Sequence, residues 1–161
     1  MTMKIETNMI QEDKQLLFKD LCARLPYGVV GQCQIDASYD TPFDTIPQTH
    51  RFNAVVDGLI EDSLFVTPLI EDQDEIEFAN EEIADGVDIL DFKPYLFPLS
   101  SMTEKQKEVY VALQQRVIYN GKCLVNLDVM VYIDWCYGHH IDINGLIEEG
   151  LAIDATGLNI Y

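Results

Sequence analysis

The sequence lacks a long hydrophobic run. No uninterrupted apolar stretch among its 161 residues approaches the ~18 residues that a membrane-spanning helix requires. Residues 1–20 also lack the pattern of a secretory signal, which is a basic start followed by an apolar stretch and a small-residue cleavage site. We therefore expect a protein that neither enters a membrane nor is exported by the usual route.

Closely spaced cysteines are also lacking. The four cysteines, Cys22, Cys33, Cys123 and Cys136, form no C-x-x-C pair. In a chain of this length without an export signal, such cysteines are typical of reduced and mostly buried thiols. The sequence therefore predicts no disulfide framework.

Basic residues are scarce, above all in the middle of the chain. The chain has 28 acidic and 10 basic residues, which gives a formal net charge of -18. Residues 36–92 contain 16 acidic residues and a single basic one, Arg51. Because such a surface repels phosphate backbones, we expect no direct nucleic-acid binding and expect a basic protein partner instead.

The densest acidic run supplies the candidate partner-binding residues. They are Glu71, Asp72, Asp74, Glu75, Glu77, Glu81 and Glu82. Three alternatives stay open for this run: a solvated face that keeps the protein in solution, a mimic of nucleic acid that occupies a basic protein groove, and a divalent-cation site. A hard cation requires six or more converging oxygens, which a linear run of carboxylates does not guarantee.

Composition and patterning predict an α+β fold. A hydrophobic share of 48% is too rich in core-forming residues for a disordered chain. Helical spacing predicts a first helix near residues 10–25. Short β-rich runs follow at residues 29–35, 51–60 and 64–67, with a weaker run at 75–83. With residues 36–48 interpreted as a long loop, we expect a small antiparallel β-sheet or an SH3-like barrel.

Two helices are predicted in the carboxy-terminal part. Thr103 and Gln106 form a capping box in front of a helix expected at residues 104–118. Before it, residues 93–99 carry two prolines around an aromatic cluster, which favours an extended segment outside the middle of a sheet.

The second of these helices competes with a strand. Residues 124–134 alternate apolar and polar side chains as a strand would, but their apolar residues also fit a helical stripe that continues to Trp135. Gly138 is well placed to end a helix. We predict a helix at residues 126–138, and we expect the tail up to Tyr161 to be ordered late or not at all.

The chain divides into two predicted parts. Residues 1–99 form a helix followed by the acidic β-rich domain, and residues 100–161 form a helical region packed on it. A single domain overall is the alternative, since 161 residues suffice for one sizeable core.

One cluster carries nitrogen and sulfur side chains, namely Cys136, His139 and His140. Cys136 and His140 are four residues apart, as two zinc ligands on one helical face must be, but a closed site needs two more ligands. With Asp134 or Asp142, the same cluster is a candidate for a Cys/His or metal-dependent hydrolase. The alternative is an ordinary helix end in which a histidine caps the last turn, and we predict no metal and no cofactor.

Signatures of common enzymes are missing. The sequence has no P-loop, no G-x-G-x-x-G, no H-E-x-x-H and no G-x-S-x-G. The leading hypothesis is therefore a non-enzymatic interaction protein whose acidic surface binds a basic protein. A small-ligand binder stays open as well, with Tyr27, Tyr95 and Phe97 as the apolar walls of a barrel mouth.

Three segments carry a resemblance to a family. They are LFKDLCARLPYGV at residues 17–29, FKPYLFPLSSMTE at residues 92–104, and a third segment with Ile133-Asp134-Trp135, His139-His140 and Gly145-Leu146-Ile147. In this order they resemble a family of small uncharacterised proteins from gut anaerobic bacteria, their prophages and phages.

The resemblance implies a setting but no mechanism. It implies the cytoplasm of a bacterial cell or of a phage-infected cell, and it carries over no catalytic residue because the family has no established activity. The third segment departs from the family's usual pattern at Cys136, Tyr137, Ile141, Ile143 and Asn144. Since Cys136 stands where the family tolerates leucine, the resemblance argues against a catalytic or ligand role for this cysteine.

Overall fold

The computed structural model describes residues 2–40, 45–71, 73–119 and 126–161. Helices and a curled mixed β-sheet are present, so the predicted α+β class is confirmed. The chain forms two compact units, Met1–Tyr95 with Ile160–Tyr161, and Leu96–Asn159. No helix among the described residues is long and apolar enough to cross a membrane.

The first unit begins with helix α1 (Thr2–Arg24), which starts well before the expected residue 10. Leu17 and Leu21 are fully buried one turn apart, so this side of α1 belongs to the core. A 3-10 turn at Leu25–Tyr27 ends the helix, and Gly28 follows with φ of 73°, a left-handed conformation that favours glycine.

In the described part of the first unit, five strands form the sheet. They are β1 (Val30–Asp40), β2 (Thr45–Ile60), β3 (Ser63–Pro68), β4 (Val87–Asp88) and β5 (Phe92–Leu96). Their order in the sheet is β4-β3-β2-β1-β5, and every neighbouring pair is antiparallel. The sheet is curled like half of a barrel.

The interpretation of residues 36–48 as a long loop is wrong. β1 continues to Asp40 and β2 begins at Thr45, and the two pair in register from Val30↔Val55 to Asp40↔Thr45. β3 pairs with β2 only from Ala54 onward, so among the described residues the early part of β2 has a strand neighbour on one side alone. A proline fits such an edge, because its missing N–H leaves no ladder bond broken on the open side. Pro47 lies in this part of β2.

The predicted weak strand at residues 75–83 is also wrong. This segment forms most of helix α2 (Gln73–Glu82). Ala79 and Ile83 are buried and Ile76 is half-buried, at spacings of three and four residues that place them on one helical face. Glu77, Glu81 and Glu82 stand between these residues and interrupt any continuous apolar run.

Gly31 in β1 marks a close approach between two strands. Its partner across the sheet is Pro94, and a Cβ atom added at Gly31 would collide with the Phe92 ring and the Lys93 carbonyl oxygen. We expect Gly31→Ala to lower the free energy of unfolding by about 3 kcal/mol, since backbone cannot move aside as a flexible side chain does.

Urea denaturation of the whole chain measures this effect. Gly58→Ala in β2 is the matched control, because a Cβ at Gly58 meets no atom within 4 Å. We expect the control to change the stability by less than ~1 kcal/mol. Equal effects of the two substitutions would contradict the close approach at Gly31.

The second unit contains the two predicted carboxy-terminal helices, α3 (Glu104–Tyr119) and α4 (Asn126–Gly138). The capping box is present, because the N–H of Thr103 donates to Gln106 Oε1 at 2.9 Å and the N–H of Gln106 donates to Thr103 Oγ1 at 3.3 Å. The prediction of a helix rather than a strand after residue 126 is confirmed.

The two helices pack through polar and aromatic groups. The Tyr132 hydroxyl donates to the Tyr110 hydroxyl at 3.1 Å, and the rings of Tyr110 and Trp135 are 6.4 Å apart. Arg116 Nη2 lies 2.9 Å from Asp128 Oδ1. Aromatic pairs at such distances stabilise a helix pair beyond their buried area.

The expectation of a poorly ordered tail is wrong. Strand β6 (Ile153–Asp154) follows in the second unit, and the N–H of Ala155 donates to the Leu96 carbonyl at 2.8 Å. At the end of the chain, the Tyr161 hydroxyl lies 2.8 Å from the Tyr95 carbonyl oxygen in the first unit. Burial raises the pKa of Tyr161 to about 12, so this hydroxyl keeps its proton at neutral pH.

Candidate functional site

The candidate site is the outer side of α2. Exposed carboxylates occupy it at Glu75, Glu77, Glu81 and Glu82, and Glu71 is exposed just before the helix. We refer to these five residues as the acidic surface. Because the apolar residues of α2 point into the core, its carboxylates are held in solvent by the packing of the opposite face.

Seven acidic residues were predicted from the sequence as partner-binding candidates. In the structure, the five residues of the acidic surface are exposed. Asp74 is the second residue of α2. Asp72 lies outside the described residues.

The arrangement of charge on α2 costs stability. Glu77 and Glu81 are one turn apart, and like charges at this spacing destabilise a helix by ~0.2–0.5 kcal/mol. Glu81 and Glu82 lie in the last turn, where the negative end of the helix dipole disfavours carboxylates and where no basic residue compensates them. Within the described part of the chain, no ion pair with Lys or Arg neutralises Glu71, Glu77, Glu81 or Glu82.

Residues 36–92, which we call the acidic segment, contain one basic residue, and this residue contacts a neighbouring strand. Arg51 lies on β2, and its Nε donates to the Gln34 side-chain oxygen on β1 at 3.0 Å. Arg51 therefore forms a cross-strand contact, which leaves the acidic surface without a cation from residues 36–92.

Exposed apolar side chains accompany the acidic surface. Phe65 on β3 and Leu69 just after it are 37% and 51% exposed. The Phe65 ring lies against Gly86, four residues beyond the end of α2, since a Cβ added there would be 3.8 Å from the ring. Leu69 lies two residues before Glu71. The surface around α2 therefore combines carboxylates with apolar groups.

A second acidic group lies in the first unit, and it carries its own cation. Lys14 Nζ is 2.7 Å from Asp88 Oδ2 and 3.0 Å from Asp62 Oδ2. The hydrogen bond with Asp88 is the main reason why the pKa of Lys14 is raised. Burial disfavours the ionised form of Asp88, but the bonds from Lys14 and from the Leu90 N–H outweigh it and lower the pKa of this carboxyl. The single cation of Lys14 therefore compensates one of the two negative charges of Asp62 and Asp88 within the fold.

The pKa values of Asp91 and Cys33 are both raised. Burial and the charges of Asp88 and Asp36 raise the pKa of Asp91. Burial, together with the charge of Asp91, raises the pKa of the Cys33 thiol to about 12. Cys33 is therefore a neutral core side chain near pH 7 and is unsuited to act as a nucleophile.

A cavity of about 400 Å³ lies between α1 and the turn that joins β2 to β3. Ile89 and Phe18 supply apolar walls, and Lys14, Lys19, Glu61 and Asp62 supply charged groups. Since Lys14 already contacts Asp62, part of this charge is compensated within the wall itself.

The predicted small-ligand walls do not enclose this cavity. Tyr95 is buried, and its hydroxyl donates to the Asn53 side-chain oxygen at 2.9 Å. Tyr27 belongs to the first unit, as Tyr95 does, whereas Phe97 belongs to the second unit. None of the three lines the cavity at α1.

The cysteine and histidine cluster forms the end of α4. Cys136 is fully buried, whereas the exposed His139 ring stacks on Trp135 with the ring centres 4.3 Å apart. His139 Nδ1 lies 2.8 Å from the Trp135 carbonyl oxygen. Burial, and then the contacts with Tyr110 and Cys136, raise the pKa of Tyr132, so this hydroxyl also keeps its proton. Histidine near the last carbonyls is a common helix-end contact.

His140 ends the helix through its backbone. Its φ is 53°, and its N–H donates to the Tyr137 carbonyl at 3.0 Å. The next N–H, from Ile141, donates to the Cys136 carbonyl at 2.9 Å. These bonds reverse the chain as a helix carboxy-terminal cap does. The spacing of four residues between Cys136 and His140 therefore has a structural cause.

Asp142, a candidate for the same cluster, stabilises a turn. It is 8% exposed, and its two carboxylate oxygens accept the N–H groups of Leu146 at 3.0 Å and Ile147 at 2.9 Å. In the described ranges, no three His, Cys, Asp or Glu side chains are grouped as ligands of a metal ion.

The apolar part of the α2 surface was missed in the sequence. Phe65 alternates with buried Leu64 along β3, so the period-two pattern could have placed it outside. Its position next to Gly86 follows only from the packing of residues that are 21 apart in sequence. Comparison of the chain with protein-family profiles, curated proteins and solved structures finds no match.

Proposed function

We propose that this protein is a non-enzymatic interaction protein whose acidic surface binds a basic protein partner. The observation that carries the proposal is the charge arrangement on α2. Glu77 and Glu81 are one turn apart, and Glu81 and Glu82 lie at the negative end of the helix dipole. The acidic segment supplies no cation that compensates them. An arrangement that weakens its own helix is typical of a site kept for function.

The partner's chemistry follows from the surface. Phe65 and Leu69 expose apolar groups beside the carboxylates of α2. A partner that presents Lys or Arg together with apolar side chains, such as a basic amphipathic helix, matches both features. Nucleic acids and anionic lipids do not fit as partners, because a net charge of -18 repels them.

The test compares two variants with the same change of net charge. The first replaces Glu71, Glu77, Glu81 and Glu82 with glutamine, and the second replaces the exposed Glu12, Glu108, Glu148 and Glu149 with glutamine. Proteins retained from lysate at about 50 mM salt are identified, and their dissociation constants are then measured with purified components at about 50 and 500 mM salt.

We expect the first variant to bind the basic partner ~30-fold more weakly, since four exposed ion pairs of ~0.5 kcal/mol each are lost. The second variant should stay within about twofold of the wild type. High salt should weaken the wild-type complex because exposed charges are screened. The first variant should be at least as heat-stable as the wild type, since repulsion within α2 is removed. Equal binding by the two variants, or salt-independent binding, would refute the proposal.

A hydrolase or metal site centred on residues 134–142 has weaker support. His139 is stacked on Trp135, Cys136 is buried beside Tyr132, and Asp142 accepts backbone N–H groups. These contacts assign structural roles to the side chains that would have to act together in catalysis.

We further propose that the chain belongs to the family that its three motifs resemble, and that it acts in the cytoplasm of a bacterial or phage-infected cell. The roles of the motif residues support a family of shared fold. Asp20 and Arg24 in the first motif form a buried ion pair, and Thr103 in the second caps α3.

A further inference from the structure

Helix α4 exposes an apolar stripe in its first two turns. Leu127 and Met130 are 63% and 64% exposed, and Val131 is 41% exposed. Their spacing of three and four residues places them on one stripe, opposite the Tyr132 and Cys136 side that packs inward. A helix normally turns its apolar stripe towards the core of the protein. The outer stripe of α4 is therefore an exposed surface that no other described residue covers.

The area of this surface suits one side of a stable interface. Together with Ile133, which flanks the stripe and is 36% exposed, the stripe presents roughly 400 Å² of apolar surface, as large functional patches do. A standard interface buries ~800 Å² per partner, of which ~450 Å² is apolar. The stripe supplies nearly all of the apolar area that one partner needs.

The charge around the stripe indicates what covers it. Residues 104–138 contain four acidic and four basic residues, so the α3–α4 segment is neutral within a chain of net charge -18. A basic partner would be drawn to the acidic segment, and an anionic partner would be repelled by the chain as a whole. A neutral apolar surface is best matched by another of the same kind, and a second copy of this chain presents one.

The stripe can also pack against the same stripe of a second copy that is related to it by a two-fold axis. In an antiparallel pair of α4 helices with the axis between Met130 and Val131, each Met130 packs beside Val131 of the other copy. The two Asp134 carboxylates then lie about 10 Å apart along the helix direction, at 1.5 Å rise per residue. A parallel pair would bring them together, and like charges at an interface are costly.

We propose that α4 mediates an antiparallel, two-fold symmetric homodimer through Leu127, Met130 and Val131. The stripe belongs to the second unit, whereas the acidic surface belongs to the first unit. The two associations respond to salt in opposite directions. Binding of a basic partner weakens with salt, whereas the dimer strengthens because screening reduces the repulsion between two copies that each carry -18.

Analytical ultracentrifugation of the full chain tests the dimer at about 50 and 500 mM salt. We expect the wild type to dimerise, more tightly at high salt, and Met130→Glu to dimerise at least ~100-fold more weakly because it buries an unpaired charge in each copy. Val111→Glu is the control, since Val111 is 46% exposed on α3. It should dimerise as the wild type does. Because both residues are exposed, both variants should retain the wild-type circular dichroism spectrum.

Cross-linking tests the axis independently. In a background with Cys22→Ser and Cys123→Ser, we expect Met130→Cys to form an intermolecular disulfide on mild oxidation, because the symmetry axis passes beside this position. Val111→Cys should form no intermolecular disulfide under the same conditions, although it dimerises through α4 as the wild type does. A wild type that is monomeric at both salt concentrations, equal dimerisation by Met130→Glu, or equal cross-linking at both positions would overturn the proposal.

Discussion

Arg24→Leu is expected to lower the free energy of unfolding by about 3–5 kcal/mol, which is among the largest effects in this protein. Arg24 and Asp20 are both 0% exposed. Arg24 Nε donates to Asp20 Oδ2 at 2.6 Å, and Nη2 donates to Oδ1 at 3.0 Å. Removing the guanidinium leaves a buried carboxylate without its counter-charge, and no solvent is available to replace the lost contact.

A double variant distinguishes the stability lost with the ion pair from the stability lost with packing. Asp20→Leu combined with Arg24→Met removes both charges and keeps apolar volume, so it should be more stable than Arg24→Leu alone. Urea denaturation monitored by circular dichroism measures all three proteins. A loss below ~1 kcal/mol for Arg24→Leu would mean that the pair is solvated, because exposed pairs contribute no more than that.

Asp142→Ala is the second substitution with a large expected effect, a loss of about 2–4 kcal/mol of stability. The buried carboxylate accepts two backbone N–H groups, from Leu146 and Ile147. Leu146 is fully buried, so its N–H would remain without an acceptor. Asp142→Asn keeps one carbonyl oxygen and should retain part of the stability.

Asp154→Ala is the matched control for this prediction. Asp154 also accepts a backbone N–H, from Thr156 at 2.8 Å, but it is exposed, so water can replace the side chain. Its substitution should cost much less than that of Asp142 in the same denaturation experiment. If the two aspartates cost the same, the turn at residues 142–147 does not depend on burial of the carboxylate.

Local signals in the sequence were sufficient for part of the fold. The capping box at Thr103 and the glycine at 138 lie next to the helices that they delimit, so the bounds of α3 and α4 agree with the prediction within one residue. Non-local pairing could not be predicted in the same way. The long β1–β2 ribbon depends on contacts between residues up to 25 apart, such as Val30 with Val55, and its polar sequence resembles a loop.

The candidate site shows the same division. The acidic run was evident, but its helical conformation depends on burial of Ala79 and Ile83 against the rest of the first unit. The cysteine and histidine cluster suggested chemistry because its spacing is that of metal ligands. In the structure the same spacing produces a helix cap, since backbone groups at His140 and Ile141 close the end of α4.

The sequence by itself determined the fold class, the concentration of negative charge in residues 36–92, and the positions of the last two helices. These properties depend on composition and on neighbours within one or two helical turns. The tertiary structure alone decided which side chains share a surface and which are buried together. The Phe65 contact at Gly86, the fully buried Asp20–Arg24 pair and the exposed stripe on α4 all depend on what packs against them, and that packing joins residues distant in the sequence.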